Sequence, residues 1–147
     1  MRRLAYACLG LILAAACADF HTSENGQLDG FWQLTQIDSL ENGHSEDASE
    51  RMIFWSVQSR LLQMQDLHDM THAYLSIFFH FRHEGDLLTV YNPVIDNRLI
   101  SDSLVTEVRM LSFYGVYNQE ETFRILQLDN KRMTLENERL RMYFRKY

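Results

Sequence analysis

The stretch that decides the fold of this chain is Leu28-Asp29-Gly30-Phe31-Trp32-Gln33-Leu34. Its large apolar side chains alternate with polar ones, so that Trp32 and Leu34 share one face while Gln33 and Thr35 share the other. A period of two residues is typical of a β-strand with one buried face. We therefore predict that the domain opens with a half-buried strand over residues 28–37.

The same period recurs along most of the remaining chain. It predicts strands over residues 52–58, 73–83, 87–91, 122–128, 131–136 and 138–146, with residues 60–65 continuing the second strand past a bulge. Glu84-Gly85-Asp86, Asp129-Asn130 and Asn137 provide tight turns, and the last two pairs of strands are predicted to be hairpins. Residues 41–50 are polar and contain Asn42-Gly43, which predicts a loop with a turn.

One segment, residues 101–112, departs from this period. Leu104, Val108 and Leu111 recur there at i, i+4 and i+7, which is the spacing of a short amphipathic helix. We expect Ser101 or Ser103 to cap its N-terminus, and Gly115 to end it.

Seven or eight strands and one helix define a mostly β domain. Edge strands of a sheet are prone to pair with other chains, and closure into a barrel removes them. With a single proline and short turns, a small antiparallel barrel of about eight strands is the expected architecture, and an open sandwich is the alternative.

The beginning of the chain has the layout of a bacterial lipoprotein signal peptide. Arg2 and Arg3 precede an apolar run over residues 4–13, which is shorter than the roughly 20 residues that span a bilayer. The following Leu13-Ala14-Ala15-Ala16-Cys17 resembles a lipobox, whose cysteine carries fatty acids such as palmitate after cleavage. We predict a signal peptide over residues 1–16, a lipidated flexible tether over 17–27 and the barrel domain over 28–147.

Charge and cysteine usage narrow the classes of partner. The chain has 14 basic and 20 acidic residues, and removal of Arg2 and Arg3 leaves 12 against 20, a formal charge of −8. Such a balance argues against nucleic acid as a partner. Because Cys8 lies in the predicted signal peptide and Cys17 carries lipid, the mature chain is expected to form no disulfide.

The Gly30-x-Trp32 pair resembles the motif at the start of the first strand in lipocalins. In that family the glycine permits a sharp turn, the tryptophan plugs one end of the barrel, and an arginine of the last strand packs across the indole ring. The resemblance assigns the arginine role to Arg141, with Arg139 and Arg145 as alternatives on the same face.

A closer similarity is to the small lipocalin-like lipoproteins of Gram-negative gut bacteria. It rests on the lipobox, on the entry Gly30-Phe31-Trp32-Gln33-Leu34 and on the closing run over residues 131–147, with Lys131-Arg132-Met133 and Leu140-Arg141-Met142-Tyr143-Phe144-Arg145-Lys146-Tyr147. The similarity implies a fold and an envelope location more than an activity.

Motifs for catalysis or metal binding are weak. His68 and His72 have the i, i+4 spacing of zinc ligands on a helix, but Asp69 stands where the general-base glutamate is expected, and a polar loop is the better interpretation. Nucleophile elbows, phosphate-binding glycine loops and Cys-x-x-Cys pairs are missing from the sequence. Glu120-Glu121 is interpreted as solvated loop. We expect neither an enzyme nor a cofactor.

Nine Phe, seven Tyr and two Trp form a large aromatic stock. Those on predicted strands that could line a cavity are Trp55, Phe79, Phe81 and Tyr91, together with Phe54, Phe78 and Tyr143. A filled core explains the same residues equally well.

Two functions follow as hypotheses. The first is a non-enzymatic envelope lipoprotein whose barrel binds a small hydrophobic ligand. The alternative is a filled barrel that acts as a protein-interaction accessory of an envelope complex. Because Ala18, and not Asp, follows Cys17, the expected location is the outer membrane, with the facing side left open.

Overall fold

The structure, a computed structural model, describes residues 25–68, 76–96 and 103–147. The predicted signal peptide, Cys17 and most of the tether lie outside these ranges. The described elements, in chain order, are a 3₁₀ helix (Gly26–Leu28), β1 (Gly30–Ser39), β2 (Ser45–Asp47), a second 3₁₀ helix (Ser49–Arg51), β3 (Ile53–Gln58), β4 (Leu61–Asp66), β5 (Ser76–Glu84), β6 (Leu87–Asp96), β7 (Ser103–Leu104), α1 (Val108–Ser112), β8 (Glu121–Leu128), β9 (Arg132–Glu136) and β10 (Leu140–Lys146). No helix in this part of the chain is long and apolar enough to cross a membrane.

Eight of the strands close into an antiparallel barrel. Their order is β1-β3-β4-β5-β6-β8-β9-β10, and β10 pairs back with β1. Trp32 of β1 lies opposite Trp55 of β3 on one side and Lys146 of β10 on the other. The short strands β2 and β7 pair with β1 and β6 beside the main ring. The predicted closed barrel is therefore confirmed, and the open sandwich is excluded.

The barrel interior is an apolar core built from the alternating faces of the strands. On β1, β3 and β10 the inward residues are fully or almost fully buried, as the period of two predicts. The buried inward side chains are Trp32, Leu34, Ile53, Trp55, Val57, Leu62, Met64, Ile77, Phe79, Leu88, Val90, Phe123, Met133, Leu135, Met142 and Phe144.

The predicted continuation of the second strand over residues 60–65 is wrong. These residues belong to β4, which pairs antiparallel with β3, placing Gln58 opposite Leu61 and Ile53 opposite Asp66. Ser59 adopts a positive φ of 53° and reverses the chain there. A hairpin, and not a bulge, therefore joins the two strands.

The predicted helix over residues 101–112 is much shorter in the structure. It is α1, only five residues long, and Glu107 occupies its N-cap position, so the expected cap at Ser103 is wrong. Ser101 lies outside the described residues. Ser103 and Leu104 instead form β7 against the part of β6 that extends beyond β8, which leaves Leu104 70% exposed. Backbone pairing with the free edge of β6 therefore determines the structure of Ser103 and Leu104, although the apolar residues have helical spacing.

The predicted loop over residues 41–50 also contains regular structure. The turn is present, because the Ser39 N–H donates to the His44 carbonyl at 2.8 Å and Gly43 has a φ of +70°. Past the turn, however, the chain returns as β2 alongside the second half of β1.

Two names are used below for the ends of the barrel. The closed end is where β1 begins, beside the 3₁₀ helix Gly26–Leu28. The helix end is the opposite one, where β1 ends and where α1 and β2 lie.

Candidate functional site

Trp32 plugs the closed end of the barrel. Its indole is fully buried, and Nε1 donates to the Leu28 carbonyl at 2.8 Å. The Lys146 ammonium lies 4.6 Å from the centre of the indole ring and donates to the Gln27 carbonyl at 3.1 Å. Gly30 has a φ of +136°, and a Cβ there would lie 2.6 Å from Lys146 Cε. Glycine is therefore required where the chain enters the barrel.

The expected arginine contact with Trp32 is wrong, because Lys146 supplies the cation. The three candidate arginines have other partners: Glu136 for Arg141, the ring of Tyr117 for Arg139 and the Gln33 amide oxygen for Arg145. The physical reason is the phase of β10. Met142 and Phe144 point into the barrel, and in a strand Lys146 shares their face while the odd-numbered arginines point outward.

Trp55 lies inside the barrel next to Trp32 but has a different hydrogen-bond status. Its side chain is fully buried, with ring centres 5.6 Å from Phe123 and 5.1 Å from Phe144. Trp55 Nε1 has no hydrogen-bond partner among the described residues. The interior thus contains a donor without a partner in an otherwise apolar surrounding.

The residues proposed to line a cavity are divided between the two faces of the barrel wall. Trp55 and Phe79 are fully buried in the interior, and Phe81 is half-buried and packs against the core. Tyr91 follows the buried Val90 and therefore faces outward. Its ring centre is 5.9 Å from that of His80 on the outer surface. The assignment of Tyr91 to the lining is wrong.

Three further aromatic candidates also lie on the outer face. Phe54 neighbours the inward Trp55 and stacks on Phe31 with ring centres 4.4 Å apart. The hydroxyl of Tyr143 donates to Asp38 Oδ2 at 2.8 Å, on the outer side of β1 and β10. Phe78 is half-buried beside the inward Phe79. Strand alternation, applied strictly, would have removed all three from the predicted lining.

At the helix end, α1 and the segment after it cover the barrel. Leu111 and Val116 are fully buried, and Tyr114 is 7% exposed. Burial raises the pKa of Tyr114 to about 12, and the charge of Asp66 at the end of β4 contributes in the same direction. This segment is therefore packed against the barrel and not extended into solvent.

A buried polar network holds the covering segment in place. Glu121 Oε2 accepts hydrogen bonds from the Tyr117 N–H at 3.0 Å and from Asn118 Nδ2 at 2.9 Å. Asn137 Nδ2 donates to Glu121 Oε1 and to the Gly115 carbonyl, each at 3.2 Å. Glu121 is 7% exposed, so its interpretation as solvated loop is wrong. The sequence contained a signal for this burial, because Glu121 lies two residues before Phe123 and residues two apart share one face of a strand.

Each end of the barrel also carries a surface cleft. The closed-end cleft has a volume of about 390 Å³ and is lined by Asn25, Gly26, Ser59, Arg60, Phe81 and His83. The helix-end cleft has a volume of about 200 Å³ and is lined by Ile37, Ser39, His44, Glu46, Arg51, Ser112, Phe113, Gly115, Tyr117 and Leu140. The closed-end cleft is the larger and the more cationic.

The histidine pair considered for a metal is only partly described, because His72 lies outside the described residues. His68 follows β4 and is exposed. Within residues 25–68, 76–96 and 103–147, no three His, Cys, Asp or Glu side chains are grouped closely enough to hold a metal ion.

Comparisons with known proteins agree with this geometry. A family model described as a lipocalin-like domain matches residues 11–147. The fold is similar to the crystal structure of a lipocalin-like protein from Bacteroides uniformis, with a TM-score of 0.63, 20% identity, and coverage of 83% of this chain and all of that chain. An uncharacterized protein from Bacteroides eggerthii gives a TM-score of 0.59 and 18% identity over 81% of this chain and 98% of that one. No curated protein sequence is significantly similar to the chain.

Proposed function

The chain belongs to the lipocalin-like domain family, and from that premise we propose that it is a non-enzymatic envelope lipoprotein whose barrel binds a small hydrophobic ligand. The barrel supplies a closed wall and an apolar interior, which hold such a molecule out of water once the interior side chains rearrange to admit it.

The observation that carries the proposal is the state of the Trp55 indole N–H. Trp32, directly opposite on β1, satisfies its own N–H with the Leu28 carbonyl, whereas Trp55 has no acceptor among the described residues. A buried donor without a partner costs roughly 1–3 kcal/mol. A ligand that brings one acceptor oxygen into the interior recovers that free energy.

The surroundings of Trp55 define the rest of the ligand. Phe123 and Phe144 pack on the indole, and Phe79 and Met64 contribute further buried apolar surface. These side chains offer dispersion contacts and no hydrogen bonds. The favoured ligand is accordingly an apolar chain or ring with a single carbonyl, ether or hydroxyl oxygen.

The test compares two ligands that differ only in this oxygen. A long-chain methyl ketone and the alkane of equal length are each used to displace the fluorescent probe N-phenylnaphthylamine from the full chain. Since one hydrogen bond contributes about 1 kcal/mol, we expect the ketone to bind about five-fold more tightly. In Trp55→Phe this preference disappears.

Tyr91→Phe is the matched control, because Tyr91 is an aromatic residue on the outer face of the same barrel. It is expected to keep the ketone preference. Equal affinity of the unmodified chain for ketone and alkane, or failure of the barrel to bind the probe and both compounds, would contradict the proposal.

The envelope location is the second part of the proposal and rests on the sequence of residues 1–18. Acylation of Cys17 predicts a mass increase on the N-terminal peptide of the mature chain, and Cys17→Ser is expected to release the protein from membranes. Because Ala18 follows the cysteine, we propose the outer membrane. An unacylated mature N-terminus would refute the anchor without affecting the ligand test.

A function as a protein-interaction accessory is the second candidate, and one surface feature favours it. Leu104, Met110 and Phe113 at the helix end are 70%, 38% and 44% exposed. These three side chains lie within ten residues of one another along the chain, and exposed apolar side chains that form a patch are typical of an interaction site. A photo-crosslinker at residue 110 is expected to capture an envelope protein if this candidate is correct, whereas one at the exposed Leu61 of the closed end captures none.

A further inference from the structure

The closed-end cleft differs from the barrel interior in chemistry and position. It is open to solvent, has a volume of about 390 Å³ and combines Arg60, His83, the Asn25 amide and the Phe81 ring. These groups offer one permanent cation and several N–H donors beside an apolar wall. That combination suits a phosphate ester better than an uncharged apolar molecule.

The cleft lies where the chain enters the domain. Asn25 Nδ2 donates to Asp29 Oδ1 and to the Ser59 carbonyl, each at 2.7 Å, and so fixes the entry point beside the β3–β4 turn that carries Arg60. Only residues 18–24 separate Asn25 from Cys17. At about 3.3–3.6 Å per residue, the cleft can lie no more than roughly 26–29 Å from the cysteine.

Charge is distributed unevenly between the two ends. The turns and strand ends of the closed end carry five basic side chains against four acidic ones, the basic ones being Arg60, Lys131, Arg132, Arg145 and Lys146. The corresponding described residues of the helix end, with β2 and α1 included, carry four basic side chains against eleven acidic ones, which are Asp38, Glu41, Glu46, Asp47, Glu50, Asp66, Glu107, Glu120, Glu121, Glu136 and Glu138. Because the chain as a whole is acidic, an anionic surface repels the closed end less than it repels the helix end. The basic side chains of the closed end are attracted to such a surface.

We propose that the closed-end cleft binds the phosphate headgroup of an anionic phospholipid in the membrane that holds Cys17. Arg60 pairs with the phosphate, His83 donates a hydrogen bond to one of its oxygens, and Phe81 covers the glycerol carbons. This inference rests on the proposed anchor and orients the barrel with its closed end toward the bilayer and its helix end away from it.

The experiment titrates the full acylated chain, held in phosphatidylcholine nanodiscs, with glycerophosphoglycerol, a phosphatidylglycerol headgroup without acyl chains. Chemical shifts of residues 25, 60 and 83 report binding. A probe without acyl chains cannot occupy the apolar interior, so this measurement is independent of the ketone test. Each basic side chain near an anionic lipid contributes about 1 kcal/mol, so Arg60→Gln is expected to weaken binding about five-fold.

Arg109→Gln is the matched control, because Arg109 is an equally exposed arginine on α1 at the helix end. It is expected to leave the headgroup affinity unchanged. Equal weakening by both variants, or an absence of shifts in the unmodified chain, would overturn the proposal. Inorganic phosphate that binds as tightly as the headgroup would overturn the lipid as the source of the phosphate.

Failure of the anchor is a separate outcome. If mass spectrometry finds Cys17 unmodified, the same titration is run on the free chain. Binding of the headgroup to the free chain would support a phosphate site in the closed-end cleft. It would refute the proposal that this site orients a barrel tethered to the membrane.

Discussion

At the closed end, Trp32 and Leu28 are fully buried, and the indole N–H meets a backbone carbonyl only four residues away. At the helix end, the buried groups include the Glu121 carboxylate and the Asn137 amide, whose partners come from separate segments. In the first closure the buried groups are apolar, and the one buried hydrogen bond is local in sequence. The second closure depends on several buried polar groups that must all be placed together. An apolar plug tolerates small shifts, but a buried network loses most of its value when one member is missing.

The largest effect is expected from breaking the closed end. Trp32→Ala removes the largest side chain of the plug and leaves a cavity, which should lower the free energy of unfolding by about 3–5 kcal/mol in urea titrations. Phe113→Ala at the helix end is the matched aromatic control. Since Phe113 is 44% exposed, we expect a loss below about 1 kcal/mol.

Equal losses in these two variants would show that the closed end does not dominate stability. A changed denaturant slope in Trp32→Ala alone would instead indicate a looser native or unfolded state and not a simple loss of packing.

A smaller effect is expected from breaking the helix end. Glu121→Ala leaves the Tyr117 N–H and the Asn118 amide without their carboxylate acceptor and removes one of the two acceptors of the Asn137 amide. The free energy of unfolding should fall by about 2–3 kcal/mol. The neighbouring Glu120 is the matched control, because its carboxylate is 61% exposed and pairs with Arg82 on the surface. Glu120→Ala should cost less than about 1 kcal/mol.

Hydrogen exchange then separates the two ends. In Glu121→Ala, the amides of Gly115 and Val116 should exchange faster, while the indole N–H of Trp32 stays protected. Faster exchange at both ends would mean that the two closures form one cooperative unit.

The same contrast explains how much could be predicted from sequence. The strands and the closed barrel follow from a period of two within single segments, and Gly30 and Trp32 occupy the positions that the resemblance implied. The β3–β4 hairpin was missed because Ser59-Arg60 contains no glycine, asparagine or aspartate, the residues that usually form two-residue hairpin turns. Lys146 was missed because β10 carries three basic residues, and which of them faces Trp32 is decided only when the phase of that strand is fixed.

The helix end was harder to predict because its elements depend on distant partners. Ser103 and Leu104 pair with β6 only because that strand extends beyond β8, which no local pattern reveals. Glu121 and Asn137 are 16 residues apart, and each, read alone, is typical of a solvated loop. The unpaired indole N–H of Trp55 likewise requires the whole barrel, because every potential acceptor must be placed before one can be found absent.

The smallest effect, and the one that probes the helix end without disturbing its network, concerns Tyr114. Burial raises its folded pKa to about 12 from 10, so the neutral phenol is favoured in the folded state. The resulting stability is fully present below pH 10 and is lost as the pH rises from 10 toward 12. Each pKa unit corresponds to 1.36 kcal/mol, so at pH 11 the loss due to Tyr114 should be about 1 kcal/mol.

Urea titrations at several pH values between 9 and 12 measure this loss. Tyr114→Phe should remove it and give a shallower fall of stability with pH than the unmodified chain. Tyr91→Phe, on the outer face of the barrel, is the matched control and should leave the slope unchanged. Parallel slopes for both variants would mean that Tyr114 titrates as an exposed phenol, and that the segment following α1 does not stay packed on the barrel in solution.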